Sequence, residues 1–189
     1  LQRFERVKVK RGQLIIREGE AGDYFYLIES GRCEVCKYVG GADLCLAELR
    51  SGESFGEEAL VSDSRRNASV TMKTDGALLR LAKPDFVELL KAPLLHEVSR
   101  TEADRKVGAG EACWLDVRYP AEYNEDGLPG AINVPLNEIR SALGLLDIQR
   151  EYVVYCQSGR RSSAAAFLLA QHGFKASFLK EGLGVLEKA

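Results

Sequence analysis

The chain has 189 residues, of which 46% are hydrophobic and 29% charged, a composition typical of a soluble globular protein with one large domain or two small ones. Its 26 Lys and Arg residues are balanced by 28 Asp and Glu, and the net charge of -2 argues against a protein that binds nucleic acid through a basic surface. The longest apolar run, residues 164–170, is far too short to cross a bilayer, so we expect no membrane partner.

The cysteines and histidines bear on compartment and on metals. Five cysteines, an odd number, argue against a disulfide framework and favour a reducing compartment, which predicts a cytoplasmic location. With only two histidines, a zinc site or a histidine-based triad is hard to build, and we predict no metal. Cys33 and Cys36 have the spacing of metal ligands, but no second pair follows and the two positions face opposite sides of a strand. Cys45 and Cys113 lie in apolar runs and are predicted to be small core residues.

The first half, from Phe4 to about Leu81, is predicted to consist of short β-strands. The chain begins with Leu rather than Met, which suggests a trimmed start. Alternating or apolar runs separated by glycines occur at residues 5–10, 13–17, 23–29, 32–39 and 44–49. Strands this short at this spacing favour an all-β jelly-roll barrel.

A change of period follows the strands. Pro84 is predicted to begin a helix that flanks the barrel, and Pro93 to end it. One apolar face is expected on this helix, formed by Phe86, Val87, Leu89 and Leu90. Beyond residue 97, predicted strands at 113–117, 152–155 and 176–179 alternate with predicted helices at 120–123, 135–143 and 162–172. This alternation indicates an α/β domain with a parallel sheet covered on both faces. We therefore predict two domains, residues 1–95 and residues 96–189.

The most informative stretch of the first half runs from Gly56 to Val70. A single helical turn that starts at a glycine points free backbone N–H groups at whatever lies above it, which suits a phosphate. Arg66 can supply a planar, permanently charged guanidinium to the same anion. A carboxylate such as Glu57 has a natural partner in sugar hydroxyls. These residues predict a site for a phosphorylated sugar inside the barrel.

The stretch resembles the phosphate-binding cassette of the cyclic-nucleotide-binding domain family, and residues 23–31 resemble the strand and turn that precede it. The resemblance covers residues 4–90 and implies that Glu57 holds the ribose 2′-hydroxyl and Arg66 the cyclic phosphate of cAMP or cGMP. The expected nucleotide-binding residues are Gly56, Glu57, Glu58, Ala59, Arg66, Asn67 and Ala68. In this family a Thr after the phosphate-binding Arg often accompanies cGMP, and Asn67 in that place slightly favours cAMP. The alternative is that Arg66 and Glu57 pair with each other in a barrel that has lost its ligand.

One departure from that family concerns the cover of the site. The residues between 82 and 97 have room for one helix and not for the longer lid that usually follows the barrel. Either the second domain caps the nucleotide, or the site lies open.

Cys156 stands where a buried strand ends and a helix begins. Successive amides in such a loop form an anion nest, and the helix N-terminus adds positive potential. Arg160 and Arg161 contribute further positive charge. Each of these features favours the thiolate over the thiol, so Cys156 is predicted to be a nucleophile that needs no histidine.

This loop, with Asp116-Val117-Arg118 and residues 128–135 upstream, resembles the rhodanese family from about residue 97 to the C-terminus. The resemblance implies that Cys156 takes sulfane sulfur from a small donor, thiosulfate or a persulfide, and passes it to a thiol acceptor. Arg161 and the loop amides would steady the donor and the persulfide, whereas Asp116 and Arg118 would brace the loop. The expected catalytic residues are Cys156, Arg161, Arg160, Gly159, Asp116 and Arg118. Four residues separate Cys156 from Arg161, one fewer than in the related phosphatases, which favours sulfur chemistry.

Together these features predict a signal-transduction protein that senses a cyclic nucleotide and carries a sulfurtransferase domain. The alternative is a regulatory protein in which the rhodanese-like half is a non-catalytic docking module. A transcription regulator would need a helix-turn-helix after the barrel, where the α/β half lies instead. Whether the chain forms an oligomer stays open.

Overall fold

The computed structural model describes residues 3–184. The chain divides between Leu90 and Lys91 into two compact units, called here the N-terminal unit and the C-terminal unit. Among the described residues, no helix combines the length and the apolar character needed to span a membrane.

The N-terminal unit is a β-sandwich of two four-stranded antiparallel sheets, with strand orders β1-β8-β3-β6 and β2-β7-β4-β5. Its elements are β1 (Glu5–Val9), β2 (Leu14–Ile16), β3 (Tyr24–Ser30), β4 (Arg32–Val39), β5 (Ala42–Arg50), β6 (Ser54–Phe55), α1 (Glu57–Val61), β7 (Ser69–Met72) and β8 (Gly76–Ala82). The prediction of an all-β first half is confirmed. The five predicted strands match β1 to β5 to within two residues at each end.

The sandwich core follows the alternation of the strands, because successive side chains point to opposite faces. Buried residues from all eight strands of this unit form one apolar cluster: Val9, Ile16, Tyr26, Ile28, Cys33, Leu49, Phe55, Val70, Met72 and Leu78. The Tyr26 and Phe55 rings stack with their centroids 5.0 Å apart. On the opposite face of β3, Phe25 packs against Phe86, at 5.2 Å between ring centroids. The strand β3 is therefore covered on both sides.

The helix predicted to run from Pro84 to Pro93 differs from expectation. It begins as α2 (Lys83–Phe86), widens into a π-helical turn over Val87–Lys91 and continues past Pro93 as α3 (Ala92–Leu94). Val87 and Leu89 are 37% and 42% exposed, so the predicted apolar face is reduced to Phe86 and the half-buried Leu90. A π-helical turn contains an extra residue and rotates the side chains that follow, which breaks the spacing on which the prediction depended.

One cysteine prediction is wrong, and one disulfide was not expected. Cys36 and Cys45 lie opposite each other on β4 and β5 and form a disulfide, and Cys45 is exposed rather than in the core. The strand β5 is at the edge of its sheet and is exposed along its length except at Leu49. An apolar run on an edge strand is therefore no guarantee of burial.

The C-terminal unit contains a five-stranded parallel sheet with strand order β11-β10-β12-β13-β9, which confirms the predicted α/β fold. Its elements are β9 (Glu97–Val98), α4 (Arg100–Gly108), β10 (Ala112–Asp116), α5 (Pro120–Asp126), β11 (Ile132–Asn133), α6 (Ile139–Ala142), β12 (Glu151–Tyr155), α7 (Arg160–Gln171) and β13 (Lys175–Leu179). Along the central strand β12, Tyr152 and Val154 join one apolar cluster and Val153 and Tyr155 the other. Both faces of the sheet are therefore buried, and the loop that contains Cys156 emerges from its centre.

Some elements of this unit were not predicted. The helix α4 begins after Ser99, whose side chain accepts a hydrogen bond from the Glu102 backbone N–H. A Ser followed three residues later by a Glu is a known signal for a helix start, so the sequence did contain this helix. The helix predicted at residues 135–143 consists of a 3₁₀ turn over Leu136–Glu138 followed by α6. The strands β9 and β11, of two residues each, are too short to produce a periodic pattern.

Candidate functional site

The first candidate site forms where β6 ends and α1 begins. Gly56 has a φ of 85°, a left-handed conformation that side chains other than glycine adopt with strain. A Cβ atom at this position would lie 3.0 Å from Nη1 of Arg66 and 3.1 Å from the carbonyl oxygen of Tyr24. Glycine therefore allows the guanidinium to approach the backbone at the start of α1.

Arg66 is the central side chain of this site, and only 4% of it is exposed. It donates hydrogen bonds to the carbonyl oxygens of Gly56 at 2.6 Å and Tyr24 at 2.7 Å, and a longer one to Asp23 Oδ1 at 3.4 Å. Burial lowers the pKa of the guanidinium, and the Asp23 carboxylate opposes that change. A guanidinium has more N–H donors than these contacts use, which leaves donors for a bound anion.

The backbone of Arg66 is fixed by the turn that precedes β3. Its N–H donates to the Glu20 carbonyl and its own carbonyl accepts from the Gly19 N–H, each at 2.8 Å. Next to it, Arg65 forms an isolated β-bridge with Ala21. The turn over residues 17–22 therefore determines where the Arg66 side chain enters the site.

The other predicted nucleotide-binding residues divide into two groups. Glu57, Ala59 and Ala68 are buried, like Arg66. Asn67 is exposed, and its amide donates to the Glu58 carboxylate at 2.8 Å. The hydrogen bonds of Arg66 go to Asp23 and to backbone carbonyls, whereas Glu57 acts on it through charge.

The second candidate site surrounds Cys156, which is completely buried between β12 and α7. Its Sγ accepts hydrogen bonds from the backbone N–H groups of Gly159 at 3.1 Å and Ser162 at 3.3 Å. The Ser162 hydroxyl oxygen lies 3.3 Å from the same sulfur. This is the anion nest that the sequence predicted, and Ser162 is a member that the prediction omitted. The position of Ser162 in the first turn of the predicted helix could have indicated that its backbone N–H faces the Cys156 sulfur.

Glycines and the segment after β13 hold the loop in shape. Gly159 has a φ of 84°, and a Cβ there would overlap the carbonyl oxygen of Lys180. A Cβ on Gly182 would overlap the carbonyl oxygens of Cys156 and Gln157. The Leu183 N–H donates to the Cys156 carbonyl at 3.0 Å. The loop and this segment therefore pack too closely for side chains at either glycine.

Arg161 is held by a carboxylate that sequence reasoning did not single out. Its two terminal nitrogens donate to the Glu122 carboxylate at 2.7 Å and 2.8 Å. This pairing lowers the pKa of Glu122 to about 2 and raises that of Arg161. Arg160 is exposed. Glu122 belongs to the segment that resembles the rhodanese family, but its contact with Arg161 joins α5 to α7 and depends on the tertiary fold, so the sequence did not indicate it.

Asp116 and Arg118 form a buried ion pair behind the loop. Arg118 donates to the Asp116 carboxylate at 2.8 Å, to Asp126 at 2.7 Å and to Gln157 Oε1 at 3.4 Å. Burial alone would lower the pKa of Arg118, but its hydrogen bonds to Asp116 and Asp126 outweigh burial and raise it. The pair thus links the end of β10 to a residue of the loop, the geometry that a bracing role requires.

Comparison with known families covers both units. The model of the cyclic nucleotide-binding domain matches residues 6–92, and the model of the rhodanese-like domain matches residues 99–188.

Similar full-length proteins and structures extend over only part of this chain. The cAMP-dependent protein kinase regulatory subunit of Yarrowia lipolytica is 47% identical over 88 residues, which are 47% of this chain and 23% of that protein. Its counterpart in Dictyostelium discoideum is 44% identical over 87 residues, 44% of this chain and 26% of that protein. The crystal structure of Thermus thermophilus catabolite activator protein aligns with a TM-score of 0.46 at 32% identity, covering 49% of this chain and 44% of its own. The chain spans about a quarter of the length of these curated relatives. With a family model matching each unit, the chain contains a cyclic nucleotide-binding domain followed by a rhodanese-like domain.

Proposed function

We propose that the chain is a cyclic-nucleotide-sensing protein whose rhodanese-like domain transfers sulfane sulfur through a persulfide on Cys156. The observation that carries the sulfur-transfer part is the pair of backbone N–H groups, from Gly159 and Ser162, that donate to the Cys156 sulfur. Donors aimed at one sulfur stabilise a thiolate, which is the nucleophilic form of cysteine. They would also stabilise the negative charge of a persulfide.

Sulfur transfer takes place in two displacement steps. The Cys156 thiolate attacks the outer sulfur of thiosulfate, the S–S bond breaks, and sulfite leaves with the bonding electrons. The thiolate of an acceptor then attacks the outer sulfur of the persulfide, takes it, and regenerates the Cys156 thiolate. Arg160, exposed beside the loop, is the cation we assign to attracting the anionic donor. Arg161 is assigned to steadying the loop through its pair with Glu122.

For the nucleotide we assign the roles that the family suggests to the residues that the fold brings together. Arg66 would hold the cyclic phosphate, Glu57 the ribose 2′-hydroxyl, and the amides near Gly56, Ala59 and Ala68 would complete the cradle. Relatives whose names describe them as cAMP-dependent kinase regulatory subunits favour cAMP over cGMP as the ligand. We also propose the cytoplasm as the compartment, because Cys156 must stay reduced to act as a nucleophile.

A second candidate function, a non-catalytic docking module, is favoured by a specific observation. Cys156 has 0% of its surface exposed, so a donor must enter a closed loop to reach its sulfur. In that case the loop would serve as a structural core under a binding surface.

The deciding experiment measures sulfur on the protein and turnover together. The full chain is incubated with thiosulfate, and its intact mass is recorded before and after addition of cyanide. We expect a gain of one sulfur atom that cyanide removes as thiocyanate. Absence of both the mass gain and thiocyanate would support the docking module. Calorimetry with cAMP and with cGMP tests the nucleotide half separately.

A further inference from the structure

The disulfide between Cys36 and Cys45 lies on the outside of the nucleotide-binding domain. The two residues are register partners on β4 and β5, next to a bulge at Leu46. Cys45 is exposed and Cys36 is half-buried, whereas the neighbouring Cys33 is completely buried and forms no disulfide. Thiols in solution therefore have access to this pair and not to Cys33.

The remaining cysteines show that this disulfide is not part of a stabilising framework. Cys33, Cys113 and Cys156 form no disulfide, and Cys156 is the nucleophile of the proposed reaction. A single disulfide in a chain that depends on a free thiol is typical of a transient, redox-sensing pair rather than of a secreted scaffold.

Solvent exposure decides which sulfur exchanges first. The Glu34 carboxylate and both sulfur atoms lie within 4.8 Å of one another, and Lys73 pairs with Glu34 at 3.7 Å. This ion pair offsets the negative charge of the carboxylate, which alone would oppose a departing thiolate. Cys45 is the more exposed partner, so its sulfur is the one that an incoming thiolate meets first.

Hydrogen bonds and strand pairing link the disulfide to the nucleotide cassette. Cys36 pairs across the sheet with Ser69, which lies near the C-terminal end of the cassette. The Ser69 hydroxyl accepts from the Glu18 N–H at 2.9 Å, and the Glu18 carboxylate accepts from the Tyr38 N–H at 2.9 Å. Glu18 thus links the hairpin formed by β4 and β5 to the turn over residues 17–22. That turn bonds both the N–H and the carbonyl of Arg66.

We propose that Cys36 and Cys45 form a reversible thiol–disulfide site for small or protein thiols, and that its oxidised state orders the cassette around Arg66. A thiolate attacks the Cys45 sulfur, the Cys36–Cys45 bond breaks, and Cys36 leaves as a thiolate. A second thiolate attacks the external sulfur of the mixed disulfide and releases Cys45. Two external thiols thus become one external disulfide, and their two protons end on Cys36 and Cys45.

The effect on the cassette follows because the disulfide holds β4 and β5 together. In the oxidised form this hairpin is already ordered before a ligand binds. In the reduced form the edge strand β5 frays, and a ligand that needs the Glu18–Ser69 connection must order it on binding. Reduction is therefore expected to loosen the cassette and to weaken nucleotide binding. This last consequence rests on the proposed function, whereas the exchange site and the loosening do not.

The test uses the full chain equilibrated in glutathione buffers of different redox ratio. Alkylation of the quenched, denatured protein counts thiols, which should rise from three in the oxidised form to all five cysteines. Amide hydrogen exchange is then measured at residues 36–45 and 66–69. Reduction should speed exchange in the hairpin by about 10- to 100-fold, the upper value being the loop-closure entropy of a roughly ten-residue loop. Exchange at residues 66–69 should rise in parallel.

Two variants complete the design. The double variant Cys36→Ser with Cys45→Ser should exchange like the reduced protein in every buffer, and Cys113→Ser should respond to redox as the wild type does. Calorimetry should show nucleotide affinity about fivefold or more lower in the reduced state.

The outcomes separate this proposal from the proposed function. A thiol count that does not change with the buffer, or unchanged exchange at residues 66–69 after reduction, overturns the redox site. Equal nucleotide affinity in both states overturns its effect on binding. Absence of nucleotide binding in both states contradicts the proposed function, while the thiol count and hydrogen exchange still decide on the redox site.

Discussion

The cassette of the N-terminal unit and the Cys156 loop of the C-terminal unit both direct backbone N–H groups toward one point, but they do so with helices of different length. Each starts a helix from a left-handed glycine, Gly56 at 85° and Gly159 at 84°, so that backbone N–H groups face one point. The helices then diverge, because α1 has five residues and α7 has twelve. A longer helix aligns more peptide dipoles behind its N-terminus.

The charge that stabilises an anion therefore has a different source at each site. In the cassette it comes from Arg66, a buried guanidinium placed by a neighbouring turn. In the Cys156 loop it comes from backbone N–H groups, while Arg161, in the first turn of α7, is already paired with Glu122. This comparison makes four predictions.

The largest expected effect is on sulfur transfer. Cys156→Ser should reduce thiocyanate formation from thiosulfate and cyanide to background, because a hydroxyl forms no persulfide. The fold should survive, since serine is smaller and can accept the same N–H groups. Thiocyanate formation and thermal unfolding are measured together. Cys113→Ser, which removes another free thiol of this unit, should keep full activity. Persistent turnover in Cys156→Ser would show that the loop is not the sulfur carrier.

The next effect concerns the cation of the cassette. Arg66→Ala should weaken cyclic nucleotide binding by about 3 kcal/mol, because a buried charge-assisted contact to phosphate is lost. Arg65→Ala is the matched control, since Arg65 is exposed and donates only to the Gly19 carbonyl among the described residues. Calorimetry measures both, and Arg66→Lys serves if the alanine variant does not fold. Equal affinity in the wild type and in Arg66→Ala would contradict the assigned role.

Substitution of the two glycines compares the loops directly. Gly159→Ala should destabilise its unit by about 3 kcal/mol, because left-handed strain is added to overlap with the Lys180 backbone. Gly56→Ala should lower the free energy of unfolding of its unit by about 1–2 kcal/mol, because the new Cβ would lie 3.0–3.1 Å from the Arg66 side chain and the Tyr24 carbonyl oxygen. Urea unfolding of both variants gives the values. A larger loss at Gly56 than at Gly159 would reverse the comparison.

The smallest effect is the pH dependence of the Glu122–Arg161 pair. Because the pKa of Glu122 falls from 4.5 to about 2 on folding, its pair stabilises the fold above about pH 4.5, and that contribution is lost as the pH falls toward 2. Both side chains are about a third exposed, so the contribution is about 1 kcal/mol or less. Glu122→Gln should make urea stability less dependent on pH in this range. Glu125→Gln, an exposed neighbour, should follow the wild type.

The sequence predicted those features that depend on neighbours along the chain. Strand alternation located β1 to β5, and the glycines at positions 56 and 159 indicated where α1 and α7 begin. The buried strand β12 followed from its apolar run and its position before Cys156.

Features that depend on distant contacts were not predictable in the same way. Whether Cys45 is buried depends on β5 being an edge strand, and the partner of Arg161 depends on where α5 packs. The π-helical turn at residues 87–91 was not predicted either, because the apolar spacing there fits a regular α-helix. The helix α4 is different, since its Ser99 and Glu102 signal was present.

The buried pair of Asp116 and Arg118 has a consequence for how this domain can evolve. Both side chains are at most 2% exposed, so losing Arg118 leaves Asp116 as an uncompensated buried charge, at a cost of about 3–5 kcal/mol, and losing Asp116 leaves Arg118 with only the exposed Asp126 as a counter-charge. Replacing both with apolar residues of similar volume costs far less, so the two substitutions are strongly non-additive. Descendants of this sequence should therefore retain both residues or lose them together.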